Sequence, residues 1–118
     1  MIKSYKDFEV YKKSYEAALK LHQMTLEFPK YELRELGSQL RRAATSIPLN
    51  IAEGFGRKSS AADFKNFLRI ALGSCNEVMV LLEMIKDLGY LKDEVFQELS
   101  EGYDHITRQL YRLIESWK

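Results

Sequence analysis

The sequence predicts an all-α protein, an antiparallel up-down-up-down four-helix bundle that forms one domain over residues 1–118. Apolar residues recur at steps of three and four, and no segment shows the alternation of a β-strand. Only 2 Pro and 6 Gly interrupt the 118 residues. A composition of 46% hydrophobic and 30% charged residues is that of a folded chain and excludes intrinsic disorder.

The first helix is predicted to begin at a capping box formed by Ser4 and Asp7 and to end at Pro29. Apolar residues follow Asp7 at helical spacing and indicate a single stripe. The members of this predicted core stripe are Phe8, Tyr11, Tyr15, Ala18, Leu19, His22 and Leu26. We expect them to face the other three helices.

The second helix is predicted to begin between Glu32 and Ser38 and to end near Phe55. Its predicted core stripe is Leu40, Ala43, Ala44, Ile47 and Ile51. Pro48 lies inside this helix, where its missing N–H and its ring predict a kink. The kink has two interpretations, a bend around the core or the shaping of a contact surface.

Two glycines, Gly54 and Gly56, indicate the next turn, after which Ser60 and Asp63 predict a second capping box. The third helix is predicted to end at Gly89, and the fourth to begin near Asp93. The predicted core residues of these two helices are Phe64, Phe67, Leu68, Ala71, Cys75, Val78, Leu82 and Ile85, and then Val95 or Phe96, Leu99, Tyr103, Ile106, Leu110, Leu113 and Trp117.

The third helix carries more apolar residues than one face can hold, since residues 64–88 include 15 apolar residues among 25. A helix turns 100° per residue, so the continuous run 78–82 points around the whole circumference. This surplus predicts self-association. The alternative is that the third helix is simply the most buried of the four helices. The interface candidates are Asn50, Glu53, Val80, Leu81 and Met84.

Charge is unevenly distributed along the chain. Residues 1–58 carry 11 Lys and Arg against 7 Asp and Glu, and residues 59–118 carry 7 against 10, so the halves are +4 and −3. A basic half can attract nucleic acid, but two oppositely charged hairpins can also attract each other. The candidate nucleic-acid-binding residues are Arg41, Arg42, Arg57, Lys58, Lys65 and Arg69. A solvated charged surface is the alternative for each of them.

The sequence offers few groups for catalysis or metal binding. His22 and His105 have no partner at metal-ligand spacing, and Cys75 lies on the apolar face of the third helix without a local cationic cluster. No glycine-rich phosphate loop follows a strand. We therefore expect no catalytic residues, no metal, no cofactor and no small-molecule substrate, and hence a protein that is not an enzyme.

A cytoplasmic location is expected from three features. A single cysteine suits a reducing compartment. The longest apolar run, residues 78–82, is far too short to cross a membrane, so no membrane association is expected. The opening residues also lack the apolar segment of a signal peptide.

Two blocks, QLRRAATSIPLNIAEGFGR over residues 39–57 and FLRIALGSCNEV over residues 67–78, carry a resemblance to a known family. Together with the opening DFEVYKKSYE, they resemble the four-helix-bundle proteins encoded in intervening sequences of bacterial 23S ribosomal RNA genes. The resemblance implies a small bundle that assembles as a homopentamer, similar to the accessory variability protein of diversity-generating retroelements. That relative binds nucleic acid and its reverse transcriptase through a strongly basic surface, whereas the net charge here is only +1.

The sequence and the resemblance together predict a non-enzymatic homo-oligomer that binds structured RNA or acts as a nucleoprotein scaffold. The alternative is a protein-interaction adaptor that binds no nucleic acid.

Overall fold

The computed structural model describes residues 1–118 and contains α-helices but no strand. A 3₁₀ turn over Tyr5–Asp7 precedes α1 (Glu9–Thr25), α2 (Lys30–Arg34), α3 (Leu36–Phe55), α4 (Ala61–Asp87) and α5 (Asp93–Ser116). Helix α2 has only 5 residues, and the other four helices are long. The prediction of an all-α chain with four long helices is therefore confirmed.

The four long helices enclose one elongated hydrophobic core, in a molecule that measures 45 × 23 × 19 Å. Helix α3 packs most extensively on α4, while α1 packs on α3 and α5 packs on α4. The largest fully buried side chains are Leu21, Leu40, Ile47, Ile51, Phe64, Leu68, Val78, Leu82, Ile85, Tyr103, Ile106 and Leu110. Every long helix thus contributes to the core.

Aromatic rings close one end of the core. Phe8, just before α1, lies 5.4 Å from Phe55 at the end of α3, measured between ring centroids. Phe64, in the first turn of α4, lies 4.8 Å from Trp117, which follows α5. The start of α1, the end of α3, the start of α4 and the end of α5 therefore meet at this end.

A second aromatic contact closes the opposite end. Phe28, which follows α1, lies 5.8 Å from Tyr90 in the turn between α4 and α5. The hydroxyl groups of Tyr31 and Tyr90 are also 2.9 Å apart and share a hydrogen bond. These contacts tie the α2 region to the α4–α5 turn.

The first helix begins and ends at residues other than those predicted. The capping box does form, because the Ser4 hydroxyl accepts from the Lys6 N–H and the Asp7 carboxylate accepts from the Ser4 N–H. It caps only the 3₁₀ turn, since Phe8 is extended and α1 begins at Glu9. Pro29 is likewise not the end of α1, which ends at Thr25, but the residue that introduces α2.

The predicted core stripe of the first helix was wrong for most of its members. The buried residues of α1 are Val10, Ser14, Ala18, Leu21 and Thr25, while Tyr15, Leu19, His22 and Leu26 are exposed. Two hydroxyl groups explain the difference: Ser14 donates to the Tyr11 carbonyl and Thr25 donates to the His22 carbonyl. Because these polar groups are satisfied within the helix, they can be buried at small cost.

The second predicted helix agrees with α3, which begins at Leu36, inside the predicted window, and all five residues of its predicted stripe are buried. Pro48 is buried within α3. The Thr45 hydroxyl donates to the Arg41 carbonyl and the Asn50 amide to the Ser46 carbonyl. Pro48 has no N–H to donate to the Ala44 carbonyl. The two side-chain bonds add donors to the carbonyls of Arg41 and Ser46, which come before and after Ala44 in the sequence.

The ends of α4 and the start of α5 follow the prediction closely. The Ser60 hydroxyl accepts from the Asp63 N–H, but the Ser60 N–H donates to the Arg57 carbonyl, so only half of the predicted capping box forms. Helix α4 ends at Asp87, and Gly89 adopts φ +85°, a conformation that glycine reaches without strain. Helix α5 begins at Asp93, and Leu99, Tyr103, Ile106 and Leu110 are buried as predicted.

The closest approach of α3 to α4 predicts that Gly54→Ala destabilises the protein. An added Cβ would lie 2.7 Å from the Phe67 Cβ and 2.9 Å from the Phe64 Cδ1. We expect a loss of about 1–3 kcal/mol in the free energy of unfolding, measured by chemical denaturation.

The matched control is Gly102→Ala in α5, where an added Cβ meets nothing within 4 Å. Because alanine is the better helix former, this variant should gain about 0.5–1 kcal/mol. Equal effects of the two substitutions would contradict the close packing at Gly54.

Candidate interaction surfaces

An apolar stripe on α4 faces away from the core. Ile70, Val80 and Met84 recur at helical spacing and are 51%, 60% and 45% exposed. Glu77 lies among them and is also exposed. These four residues are called the α4 stripe below. Apolar side chains left exposed along one side of a helix of 27 residues are typical of a protein interaction site.

The α4 stripe retains two of the three predicted apolar interface residues. Leu81 was a wrong choice, because it is only 6% exposed and packs inside its own subunit. One residue is a rotation of 100° on a helix, so Leu81 turns toward the core where Val80 turns away. The Ser74 hydroxyl, also at the buried edge, donates to the Ser46 hydroxyl of α3 at 2.8 Å. The stripe therefore borders α3.

A second apolar surface lies between α1 and α3. Tyr15, Leu19 and Leu49 are 49%, 53% and 62% exposed and line a groove of about 270 Å³ together with His22 and Pro48. This surface is called the α1–α3 groove below. The sequence prediction misses this surface because Tyr15 and Leu19 belong to the predicted core stripe. Val10 and Leu21, which share helical spacing with Ala18, form a second stripe and are the signal that could have found it.

The α1–α3 groove continues into a polar cleft with basic side chains. His22, Thr45 and Leu49 are shared between the two, and the cleft adds Arg42 and Asn50. No Asp or Glu lines either the groove or the cleft. Arg42 forms neither an ion pair nor a hydrogen bond. The surface therefore presents an unpaired positive charge beside an apolar floor.

The other polar interface candidates lie on the outer side of α3. Asn50 is half-buried and donates to both the carbonyl and the hydroxyl of Ser46. Glu53 is exposed and accepts a hydrogen bond from Arg57 Nε at 3.4 Å. Such an exposed pair four residues apart contributes a few tenths of a kcal/mol. Asn50 and Glu53 therefore have different partners on the same helix.

The candidate nucleic-acid-binding residues do not form one free basic patch. Arg41 is turned inward, where it donates to the Thr25 hydroxyl at 2.9 Å and to the Leu33 carbonyl at 3.0 Å. Arg41 therefore holds α2 against α1 and α3, and two of its five N–H groups are engaged inside the fold.

Four of the other candidates follow one another from the α3–α4 turn into the first third of α4. Arg57 pairs with Glu53 and also lies over the Phe67 ring, and Lys58 lies 4.4 Å from the centre of the Phe55 ring. Arg69 donates to Asn66. Lys65 forms no ion pair. All of these contacts are at the surface, so Lys58, Lys65 and Arg69 can still meet a phosphate.

The thiol and the histidines of this chain lie in different surroundings. Burial raises the pKa of the Cys75 thiol to about 11, which keeps it protonated and inert. Burial also raises the pKa of Tyr103, whose hydroxyl has no hydrogen-bond partner. Both histidines are exposed, and no three His, Cys, Asp or Glu side chains lie together as metal ligands would.

None of the helices combines the length and the apolar content required to span a membrane.

Comparison with known proteins points to one family. A family model described as 23S rRNA-intervening sequence protein matches residues 6–112. A crystal structure from Bacteroides thetaiotaomicron, of a protein with unknown function from the S23 ribosomal protein family, is 29% identical to this chain with a TM-score of 0.79. The match covers 91% of this chain and 99% of that one. No functionally curated protein matches the chain.

The inward position of Arg41 predicts different effects for two adjacent arginines. Arg41→Ala should lower the free energy of unfolding by about 1–3 kcal/mol, because it removes the charged hydrogen bonds to the buried Thr25 hydroxyl and to the Leu33 carbonyl. Arg42→Ala removes no such bond and should change it by less than about 0.5 kcal/mol. Chemical denaturation measures both, and equal stabilities would contradict the structural role of Arg41.

Proposed function

The chain belongs to the 23S rRNA-intervening sequence protein family, and on that premise we propose that it is a non-enzymatic, homo-oligomeric bundle that acts as an RNA-associated scaffold. Its helices run up-down-up-down and antiparallel. The aromatic contacts at both ends support this path, since the start of α1, the end of α3, the start of α4 and the end of α5 share one end.

The α4 stripe is the observation that carries the assembly. Fully burying an Ile, Val or Met side chain contributes about 1.5–3 kcal/mol, and the three apolar residues of the stripe are each roughly half exposed. An unpartnered stripe therefore forfeits about 2–4 kcal/mol in an isolated subunit. Association recovers part of this, less the entropy lost on binding. Five copies form the proposed ring, as the resemblance to pentameric family members implies.

The RNA-binding part of the proposal is supported by the cations around the α3–α4 turn. Lys58, Lys65 and Arg69 are exposed or half-exposed, and their surface contacts leave them within reach of a phosphate. One subunit provides a small patch, whereas a ring repeats it in every copy. Binding should therefore depend on assembly and be sensitive to salt, because each phosphate contact releases counterions.

A protein-interaction adaptor without nucleic-acid binding is the second candidate. It is favoured by the engagement of two Arg41 N–H groups inside the fold and by the pairing of Arg57 with Glu53, which compete with contacts to a phosphate. Affinity purification separates the candidates: a partner that survives nuclease treatment supports the adaptor, and co-purified RNA supports the scaffold.

Val80→Asp is expected to dissociate the oligomer, since it places a charge on the α4 stripe. Light scattering should return a mass near 13.8 kDa for the variant and about five times that mass for the wild type. The control is Tyr111→Asp on α5, a residue that is 55% exposed and outside the stripe. Loss of assembly in the control as well, or a monomeric wild type, would contradict the proposal.

Lys58→Glu combined with Lys65→Glu is expected to weaken binding of a structured RNA by about tenfold or more at low salt, and to flatten its dependence on salt. Fluorescence anisotropy with a labelled RNA hairpin measures this. Lys13→Glu with Lys92→Glu makes the same charge change elsewhere on the surface and should have a smaller effect. Equal losses for the two pairs would indicate a dependence on net charge alone.

A further inference from the structure

We propose that the α4 stripe of one copy docks into the α1–α3 groove of the next copy, with Glu77 facing Arg42. The inference rests on the homo-oligomeric part of the proposed function and adds the surface that receives the stripe. It assigns the groove to a second copy of this chain.

The two surfaces are matched in their apolar character. The groove is open along one side and is lined mainly by apolar side chains, with Leu19 and Leu49 exposed at its edges. The α4 stripe presents Val80, which is small, and Met84, which is unbranched and flexible, so both can enter such a groove. Docking would cover exposed apolar residues on both copies at once.

The two surfaces are also opposite in charge. Glu77 is the one charged residue of the α4 stripe, and it forms no ion pair within its own subunit. Arg42 borders the groove, is unpaired, and has no carboxylate among its neighbours in the cleft. A contact between copies would therefore give each residue the partner that it lacks. Arg42 belongs to the half of the chain with a net charge of +4 and Glu77 to the half with −3, so the contact joins oppositely charged parts of two copies.

The spacing along the two helices agrees with this pairing. Ile70 and Glu77 are separated by seven residues on α4, and Arg42 and Leu49 by seven residues on α3. At a rise of 1.5 Å per residue, each pair spans about 10 Å. Copies around a five-fold ring point in similar directions, so α4 of one copy runs opposite to α3 of the next. Ile70 can therefore lie against Leu49 while Glu77 lies against Arg42.

The positions of the surfaces make the contact head-to-tail. The α4 stripe borders α3 on the α4 side, as the Ser46–Ser74 hydrogen bond shows, and the groove lies on the α1 side of α3. Pairing of two stripes would leave both Glu77 carboxylates without a cation, and pairing of two grooves would bring arginines together. A contact between unlike surfaces repeats from copy to copy and closes into a ring when its rotation permits.

A mixing experiment tests the pairing. Val80→Asp blocks the stripe and Leu49→Asp blocks the groove, and both residues are at least 60% exposed, so the fold should tolerate either change. Each variant alone should be monomeric by light scattering. Mixed in equal amounts, they should form a dimer of twice the 13.8 kDa subunit mass and nothing larger, because one intact stripe and one intact groove remain in the mixture.

A second pair of variants tests the charge contact. Arg42→Glu and Glu77→Arg should each weaken assembly of the otherwise unchanged chain, and the chain carrying both substitutions should assemble again. Glu101→Arg on α5 is the matched control and should assemble like the wild type. A double variant weaker than either single variant would overturn the pairing of Glu77 with Arg42.

The outcomes separate this inference from the proposed function. A wild-type oligomer whose assembly survives Leu49→Asp, or two variants that stay monomeric when mixed, would overturn docking into the groove and leave the oligomer standing. A variant Leu49→Asp that assembles but loses RNA binding would assign the groove to RNA. A monomeric wild type would overturn the proposed function together with the inference.

Discussion

The packing of α3 against α4 is the contact on which the rest of the molecule depends. Gly54 lets the end of α3 approach Phe64 and Phe67 closely, and the Ser46–Ser74 hydrogen bond joins the two helices near their middle. This contact determines the rotation of α4 about its own axis. Once Val78, Leu82 and Ile85 face the core, Val80 and Met84 have to face outward.

Buried polar groups have a comparable effect on α1. Thr25 is fully buried and accepts a hydrogen bond from Arg41, so the helix is held with its hydroxyl-bearing side inward. The apolar side chains of Tyr15 and Leu19 are left on the outside, next to Leu49. A satisfied hydroxyl in the core thus has a direct consequence at the surface, the α1–α3 groove.

The same hydrogen bonds change the interpretation of the basic residues. Two arginines that are adjacent in sequence differ in role, since Arg41 is part of the fold and Arg42 is free at the surface. A count of positive charges treats them alike, and so overestimates the charge available to a phosphate backbone. The exposed apolar residues are the stronger feature of this surface, which is why assembly is the part of the proposed function with the most structural support.

The sequence by itself determined the four long helices, the stripe of α3, the cap at Gly89 and the apolar surplus of α4. These features are local, because they follow from helical spacing, capping chemistry and the conformational freedom of glycine. Only the tertiary structure decided which side of α1 is buried, that Leu81 faces inward, and that Arg41 binds Thr25 and Leu33. Those choices depend on how neighbouring helices are rotated and on which polar groups find partners across them, and spacing along one helix cannot decide which of two apolar stripes is buried.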